Sequence, residues 1–424
     1  MSSVELLAAG SLRTLGVAYR PLADGAPRPP DEELEHELIF AGLVGIMDPP
    51  RAEAAGAIAE AHAAGIRVLM ITGDHPRTAA RIASELGIDD GPRPVVTGAR
   101  IDELDDERLR STVRESCVFA RVVPEHKLRI IDALQADGHV VAMTGDGVND
   151  APALRRADIG IAMGVTGTDV AKEASSMVLV DDDFATIVTA VREGRGIFAN
   201  IRTFLRYLLS SNAGEVLTML FGVLGAGVIG LDAAGGAVNV PLLAAQILWI
   251  NLLTDTAPAL AMGVDPAPDD VMERPPRRLT DRVIDVRMQR GVVFVGLVMA
   301  VATLLSFDMA LPGGLLEGSG TLVEARTMAF TTLVLAQLFN CLNARSDRVS
   351  AFHRPLRNRL LLGAIGLSLL LQVAVVSVPV LNEAFDTTPL DLGRWLVCAA
   401  VASTVLWAVE LRKLVMRGME RPAP

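Results

Sequence analysis

The chain has 424 residues, of which 51% are hydrophobic and 21% are charged, and its mean hydropathy is +0.39. This composition is too apolar for an entirely soluble protein, so part of the chain is expected to lie in a membrane. The formal net charge of -11 argues against nucleic acid as a partner, and three widely spaced cysteines provide neither a disulfide framework nor a zinc site.

The chain up to about residue 185 is predicted to alternate short strands with helices. Five short apolar runs stand where strands are expected: residues 39–46, 67–71, 140–143, 158–162 and 177–180. This alternation predicts a parallel sheet with helices on both faces. In such a sheet ligands bind at the carboxyl ends of the strands, where three polar loops follow: 48–51 (DPPR), 72–74 (TGD) and 144–150 (TGDGVND).

The side chains of these loops suit a phosphoryl group and its metal ion. Asp146 and Asp150 offer the carboxylate oxygens that Mg²⁺ prefers, and Pro152 opens a helix whose N-terminus favours an anion. The Thr72 hydroxyl and the Lys127 ammonium group could stabilise a phosphoryl group during transfer. The alternative is that TGD and GDG are ordinary turn sequences, because Gly and Asp are favoured in turns.

After residue 185 the sequence becomes typical of a membrane domain. Residues 183–230 are predicted to begin with a long helix capped by Asp181–Asp183, since no proline interrupts them. Six apolar spans are long enough to cross a bilayer: 207–230, 241–264, 291–311, 327–344, 360–381 and 395–411. Arginines are concentrated in alternate connecting segments, whereas loops 231–240 and 312–323 contain no Lys or Arg. By the positive-inside rule, both termini and the sheet-containing domain are expected to be cytoplasmic.

Polar residues in the first two spans form a second candidate site. A charged group in the middle of a span costs roughly 2.5 to 3.5 kcal/mol, so Glu215 and Asp255 are functional candidates. Pro258 has no N–H, which leaves the Thr254 carbonyl without its usual helical partner and open to a cation. The alternative is hydrogen bonding that only fixes helix packing. By their three- and four-residue spacing, two sets of residues each share a helix face: Asn212 and Glu215, and Asn251, Thr254 and Asp255.

Several stretches resemble one protein family. TGDGVNDAPAL (144–154) resembles the phosphorylation domain of P-type cation-transporting ATPases, as do DPPR, MITGDHPRTA (70–79) and VVPEHKL (122–128). The calcium-pump branch looks closest. The likeness continues through RYLLSSNAGEV (206–216) and QILWINLLTDTAPALAMG (246–263), so it covers nearly the whole chain.

This resemblance implies roles for individual residues. Asp146 would bind Mg²⁺, and Arg13 and Arg51 would lie toward the ATP nucleotide. Catalytic roles at the phosphoryl group would fall to Thr72, Gly73, Asp74, Lys127, Asn149 and Asp150. The transported cation, with Ca²⁺ the first choice, would be bound by Asn212, Glu215, Asn251, Thr254 and Asp255. Gln337 stands where sarcoplasmic-type calcium pumps carry a glutamate, which puts a second ion site in doubt.

The resemblance also implies the domain organisation. An α/β haloacid-dehalogenase-like (Rossmann-like) cytoplasmic phosphorylation domain would precede an all-α bundle of about six transmembrane helices. Residues 1–38 would be the remnant of a nucleotide-binding domain, 39–184 the C-terminal part of the phosphorylation domain, and 185–424 the transmembrane domain with its stalk helix.

One motif of the family is not found in residues 1–424, namely the DKTGT run that carries the phosphorylated aspartate. The expected function is therefore ATP-driven cation transport by a pump of which this chain is a C-terminal part, inactive alone. A separate N-terminal half is a candidate partner. Two alternatives remain: a non-catalytic ion-binding or regulatory membrane module, and a membrane-anchored phosphatase of the same fold.

Overall fold

The computed structural model describes residues 13–21, 36, 38–46, 49–89, 91, 93–229, 231, 240–313, 315–316, 318–346, 349–353 and 358–420. Most of the segment 1–38, Asp48 of the first polar loop, most of loop 231–240 and the side chain of Arg13 lie outside the described residues. The described residues up to Arg192, with Asp270–Thr280, form one compact unit; those of Glu193–Asp269 and from Asp281 onward form another.

The first unit alternates strands and helices. Its strands are β1 (Arg13–Tyr19), β2 (Ile39–Ile46), β3 (Met70–Ile71), β4 (Val96–Thr97), β5 (Val118–Ala120), β6 (Ala142–Gly145), β7 (Ile159–Met163) and β8 (Met177–Leu179). The helices within this part of the chain are α1 (Ala52–Ala63), α2 (Pro76–Glu85), α3 (Gly98–Asp102), α4 (Asp106–Glu115), α5 (Pro124–Ala136), α6 (Ala151–Arg156) and α7 (Asp169–Ala174). A 3₁₀ turn, Val148–Asp150, precedes α6.

The strands form three small sheets. Two are parallel, with strand orders β3-β5-β4 and β6-β7-β8. The parallel direction agrees with the prediction, but the single sheet that was predicted is two separate sheets, so the 72–74 and 144–150 loops follow strands of different sheets. The prediction that residues 39–46 join the parallel sheet is wrong, because β2 pairs antiparallel with β1. An unbroken apolar run does not reveal the direction of its partner strand, and β2 is largely exposed rather than buried on both faces.

Helix α5 links the cores beneath the two parallel sheets. Pro124 occupies its first turn, where a missing N–H costs nothing. Its neighbouring residues Ile130 and Ile131 are both buried, but Ile130 packs with Phe119 of β5 and Ile131 packs with Met143 of β6. Since α5 contributes to both cores, it fixes where Lys127 lies in relation to both sheets.

The second unit consists of helices. They are α8 (Phe184–Leu224), which begins in the first unit, and α9 (Ala244–Trp249), α10 (Thr256–Gly263), α11 (Val286–Asp308), α12 (Leu322–Ala344), α13 (Arg359–Ser377), α14 (Pro379–Phe385) and α15 (Leu392–Glu420). Among the described residues, five helices are long and apolar enough to cross a membrane, namely α8, α11, α12, α13 and α15.

The second predicted span, 241–264, is therefore not one regular α-helix. It consists of α9, a π-helical segment (Ile250–Thr254) and α10. A π-helical turn shifts the helical register, and such turns are frequent at functional sites. The apolar composition of the span gave no sign of this interruption.

The long helix α8 confirms the continuous helix predicted after residue 183. Asp183 caps it by accepting the Ala185 N–H at 2.9 Å, and the helix then runs for 41 residues. In the second unit α8 lies against α11 with almost no space between them: a Cβ built on Gly296 would be 2.7 Å from the Cβ of Ala213, and one built on Gly214 would be 3.0 Å from that of Met299.

Candidate functional site

The 72–74 loop is held by main-chain hydrogen bonds to the segment after β5. The Thr72 N–H donates to the Phe119 carbonyl at 2.9 Å, and the Thr72 carbonyl accepts the Val122 N–H at 3.1 Å. The Thr72 hydroxyl donates to Asp74 Oδ2 at 3.0 Å and accepts the Asp74 N–H at 3.1 Å. Gly73 and Asp74 are exposed, while Thr72 is half-buried, so the end of β3 presents a short polar turn.

The 144–150 loop brings Asp150 to Lys127. The Lys127 ammonium group donates to Asp150 Oδ1 at 2.5 Å, and both side chains are mostly buried, at 18% and 11% exposure. Gly145 makes this geometry possible, because a Cβ at that position would lie 2.5 Å from the Cβ of Asp150. Sequence reasoning named both partners but not their direct contact.

Asp146 and Asn149 are exposed at the same loop, beyond the end of β6. The main-chain carbonyl of Asp146 accepts the Thr168 N–H at 2.8 Å, whereas its carboxylate forms no hydrogen bond or ion pair with the described residues. One free carboxylate at a strand end fits Mg²⁺, which is commonly held by one or two protein carboxylates together with phosphate oxygens and water.

The described contacts of Arg51 and the position of Arg13 do not relate either residue to a nucleotide. Arg51 donates from Nη1 to the main-chain carbonyl of Asp182, just before α8, and Arg13 lies in β1. The nucleotide roles of both residues stay predictions.

In the second unit, Glu215 on α8 is the centre of a hydrogen-bonded cluster. It is 5% exposed. Its two carboxylate oxygens accept from the Asn251 amide at 2.7 Å and the Gln337 amide at 3.0 Å. The carbonyl oxygen of the Gln337 side chain is buried and has no hydrogen-bond partner among the described residues.

Asp255 is held by a residue that the sequence did not suggest. The buried Tyr207 hydroxyl donates to Asp255 Oδ1 at 2.7 Å, while Asp255 Oδ2 is buried with no partner in the described part of the chain. Tyr207 precedes Glu215 by eight residues, which places it roughly 80° around α8 from Glu215. No sequence pattern singled out Tyr207.

The Thr254 carbonyl accepts a hydrogen bond that the sequence did not indicate. Pro258 does remove its usual helical donor, but the Ser368 hydroxyl of α13 donates to this carbonyl at 2.8 Å. The Thr254 hydroxyl donates to the Ile250 carbonyl at 3.1 Å. Ser368 lies in a uniformly apolar stretch and no pattern indicated its role.

Asn212 has no side-chain hydrogen bond to the cluster of Glu215, Asn251 and Gln337 among the described residues, and the same holds for Thr254 and Asp255. The Asn212 side chain is exposed. Three residues turn an α-helix by about 300°, so Asn212 lies roughly 60° around α8 from Glu215. Its assignment as a ligand stays a prediction, as do those of the other predicted site residues.

Two family models match the chain. Residues 239–415 match the model for the C-terminus of cation-transporting ATPases, and residues 6–158 match the model for haloacid dehalogenase-like hydrolases. The second match agrees with the small parallel sheets of the first unit, so the predicted Rossmann-like fold class is confirmed.

Similar proteins carry transport ATPase names. A calcium-transporting ATPase of Bacillus subtilis is 46% identical over 397 residues, which is 94% of this chain and 43% of that protein. Calcium-transporting ATPase 1 of Saccharomyces cerevisiae is 40% identical over 97% of the chain and 42% of its own length. A probable cation-transporting ATPase F of Mycobacterium bovis is 40% identical over the whole chain and 45% of its own length.

The chain thus spans less than half the length of each of these relatives. Both of its units take part in the match, and the apolar helices make it a multi-pass membrane protein. Together with the TGDGVNDAP loop, these matches show that the chain is similar to C-terminal parts of cation-transporting ATPases, in agreement with the resemblance to the P-type family.

Proposed function

We propose that the protein to which this chain belongs uses ATP to move a cation across a membrane through a phosphorylated aspartate. Ca²⁺ is the cation we favour. In this proposal the first unit supports phosphoryl transfer and the second unit binds the transported cation. The names of the similar ATPases support the activity class, and the chemistry of the helix cluster supports the choice of a hard divalent cation.

The observation that carries the proposal is the pair of buried carboxylates, Glu215 and Asp255. Neither forms an ion pair with a Lys, Arg or His side chain among the described residues. A charge inside a membrane bundle is costly unless a counter-charge accompanies it. Two carboxylates together balance one divalent cation, and the unpartnered oxygens of Asp255 and Gln337 offer it additional ligands.

At the phosphoryl site we propose a division of labour among this chain's own residues. The Lys127 ammonium group would stabilise charge on a phosphoryl group. Its contact with Asp150 fixes the orientation of the ammonium group. The hydroxyl and main-chain N–H groups of the 72–74 loop would orient phosphoryl oxygens. Mg²⁺ on Asp146 would neutralise part of the phosphate charge.

The membrane orientation follows the distribution of arginines. We propose that both termini and the first unit are cytoplasmic, because Arg202 and Arg206 precede the apolar part of α8 and Arg412 and Arg417 lie near the end of α15. Asp232 and Glu317, the acidic residues of the opposite loops, lie outside the described residues.

Direct cation binding tests the proposal on the chain as it stands. We expect the chain in detergent or nanodiscs to bind ⁴⁵Ca²⁺, and both Asp255→Asn and Glu215→Gln to weaken binding by at least tenfold, because each removes a ligand charge that neighbouring amides cannot replace. The same Asp255 variant should abolish Ca²⁺-dependent phosphorylation by ATP in a longer pump carrying this segment.

Asp308→Asn is a matched control. Asp308 is also a buried carboxylate at a helix end, but its oxygens accept the N–H groups of Leu315 and Leu316 at 2.9 and 2.8 Å. This variant should leave Ca²⁺ affinity unchanged. Equal Ca²⁺ binding by the parent chain and by both site variants would assign Glu215 and Asp255 to helix packing and overturn the proposal.

A further inference from the structure

A short loop behind the phosphoryl site is packed with unusual tightness. It comprises residues 164–168, between β7 and α7. A Cβ on Gly164 would lie 2.4 Å from the Leu179 carbonyl oxygen, and one on Gly167 would lie 2.0 Å from that of Met163. The loop therefore lies against main chain at both glycines, and small shifts of it would be transmitted to its neighbours.

The carboxylate of Asp182 holds this loop from outside. Its Oδ1 accepts the Val165 N–H at 2.9 Å, and its Oδ2 accepts both the N–H and the hydroxyl of Thr166, each at 2.8 Å. Asp182 is only 5% exposed and adopts a left-handed conformation with φ of 53°. Such a backbone is uncommon for a residue other than glycine, so the surrounding contacts must maintain it.

The hydrogen bonds to Asp182 keep its carboxylate ionised. The Val165 N–H in the first place, and the Thr166 hydroxyl and N–H with it, lower the pKa of Asp182 to about 2. An ionised acceptor forms stronger hydrogen bonds than a neutral one. The loop is thus fixed through a charge that persists at all physiological pH values.

The other end of the loop contacts the candidate metal ligand. The Thr168 N–H donates to the main-chain carbonyl of Asp146 at 2.8 Å. Only Gly167 separates Thr168 from Thr166, so the Asp182 carboxylate and the Asp146 carbonyl are joined through one short turn. The main chain of Asp182 is also held, because its carbonyl accepts a hydrogen bond from the Arg51 guanidinium group.

We propose that Asp182 is a positioning residue of the phosphoryl site, which fixes loop 164–168 and through Thr168 sets the orientation in which Asp146 meets its metal ion. This inference rests on the proposed function, since it takes Asp146 to be the Mg²⁺ ligand. Asp182 does not touch the metal ion or the phosphoryl group. Its contribution is to hold the main chain from which the Asp146 carboxylate extends.

The test measures metal binding with Mn²⁺ as the probe, detected by electron paramagnetic resonance on the full 424-residue chain. All variants and their parent carry Glu215→Gln and Asp255→Asn, so that the candidate cation site of the second unit does not bind the probe. We expect Asp182→Asn to weaken Mn²⁺ binding by about tenfold, the lower end of the range seen when a group behind a metal ligand is removed. Asparagine tolerates the left-handed backbone but provides one acceptor oxygen in place of two. Hydrogen exchange should rise in peptides covering residues 145–150 and 164–168.

Asp181→Asn is the matched control. Asp181 is the preceding residue, and its carboxylate accepts only from the first turn of α8, from the Thr186 hydroxyl at 2.6 Å and the Asp183 N–H at 3.2 Å. It should change neither Mn²⁺ affinity nor exchange in those two segments. Thr166→Ala removes a single bond to Asp182 and should weaken Mn²⁺ binding by about two- to threefold, so the inference remains testable if Asp182→Asn fails to fold.

Asp146→Asn distinguishes an error in the metal site from an error in the positioning role of Asp182. If this variant binds Mn²⁺ as the parent does, Asp146 is not the metal ligand, and the role that the proposed function gives to the first unit is wrong. If Asp146→Asn abolishes Mn²⁺ binding but Asp182→Asn leaves it intact, the metal site is correct and Asp182 has no positioning role. Where Asp182→Asn does not fold, Thr166→Ala takes its place in this comparison.

Discussion

At the scale of single residues, the contact between Lys127 and Asp150 in the proposed phosphoryl site depends on a position with no side chain. Gly145 ends β6, and any Cβ there would lie 2.5 Å from the Cβ and 2.8 Å from the Cγ of Asp150. Neither contact is sterically acceptable. Asp150 would have to move, and since its partner is the Lys127 ammonium group, that hydrogen-bonded pair would be lost with it.

We therefore expect Gly145→Ala to lower the free energy of unfolding by about 1 to 3 kcal/mol, the usual cost of forcing extra volume into a packed site. Thermal unfolding of the purified chain measures this. Gly147→Ala is the control, because a Cβ there would lie 3.8 Å from Asp150 Oδ2, an ordinary contact distance. If the two variants lost equal stability, close packing at Gly145 would not explain the effect.

Residue types predicted the candidate sites better than they predicted the partners of each side chain. Asp146 and Asp150 could be selected because their carboxylates follow a predicted strand, and Lys127 because its ammonium group suits a phosphoryl group. Tyr207 and Ser368 could not, because a hydroxyl inside an apolar helix is common and its partner depends on how helices pack. The Lys127 to Asp150 contact likewise depends on tertiary structure.

At the scale of elements, one carboxylate at the end of α5 holds α4 in place. Asp137, at the C-terminus of α5, accepts hydrogen bonds from Arg110 at 2.6 Å and Arg114 at 2.6 Å. The Asp137 side chain is 7% exposed. The Arg114 guanidinium first, and Arg110 with it, hold the pKa of Asp137 well below its ordinary value.

This shift predicts a pH-dependent stability. A carboxyl group whose pKa is lower in the folded than in the unfolded chain stabilises the fold above its unfolded value, about 3.9, and loses that contribution as pH falls toward the folded value. We expect Asp137→Asn to destabilise the chain at pH 7, and the difference from the parent to shrink below about pH 4. Chemical denaturation across this pH range is the measurement.

Asp132→Asn serves as the comparison. Asp132 is also on α5 and pairs with Arg156, but both side chains are about half exposed, at 49% and 56%. Exposed ion pairs contribute little, so this variant should have a small effect at either pH. A difference between parent and Asp137→Asn that stayed constant from pH 7 to pH 3 would contradict the proposed origin of the stabilisation.

Elements with a strong periodic or apolar signal were the predictable ones. Helix α8 was expected from an uninterrupted helical pattern after three aspartates, and the structure has it as one helix. Strands β3 and β4 have two residues each, which is too short for any periodicity, and neither β4 nor the three-residue β5 was predicted. The π-helical segment ends next to Asp255, and the apolar composition of the second span does not indicate it.

At the scale of the whole molecule, the sequence limits which steps of phosphoryl transfer the chain can carry out alone. Phosphoryl transfer needs an attacking carboxylate, and Lys127 and Mg²⁺ can only stabilise charge that such an attack develops. Residues 1–424 contain no DKTGT run. We expect the purified chain incubated with γ-³²P-labelled ATP to acquire no acid-stable, hydroxylamine-sensitive label.

Adding a segment that carries the DKTGT aspartate should restore labelling if the two polypeptides associate. The same segment with that aspartate changed to asparagine is the control, and it should not restore labelling. A hydroxylamine-sensitive label on the lone chain, lost in Asp146→Ala, would show that an aspartate of residues 1–424 is itself the nucleophile.

The close approach of α8 and α11 affects what the cation cluster can do. Gly214 and Gly296 allow the two helices to touch. Because neither helix can slide past the other without steric overlap, we expect the pair to move as one rigid unit. Glu215 follows Gly214 directly, and Asp255, although it follows the π-helical segment, is held to the same helix by the hydrogen bond from Tyr207. In the proposed function, α8 would therefore set the spacing of the two carboxylates, and the radius of the cation that they accept would depend on that spacing.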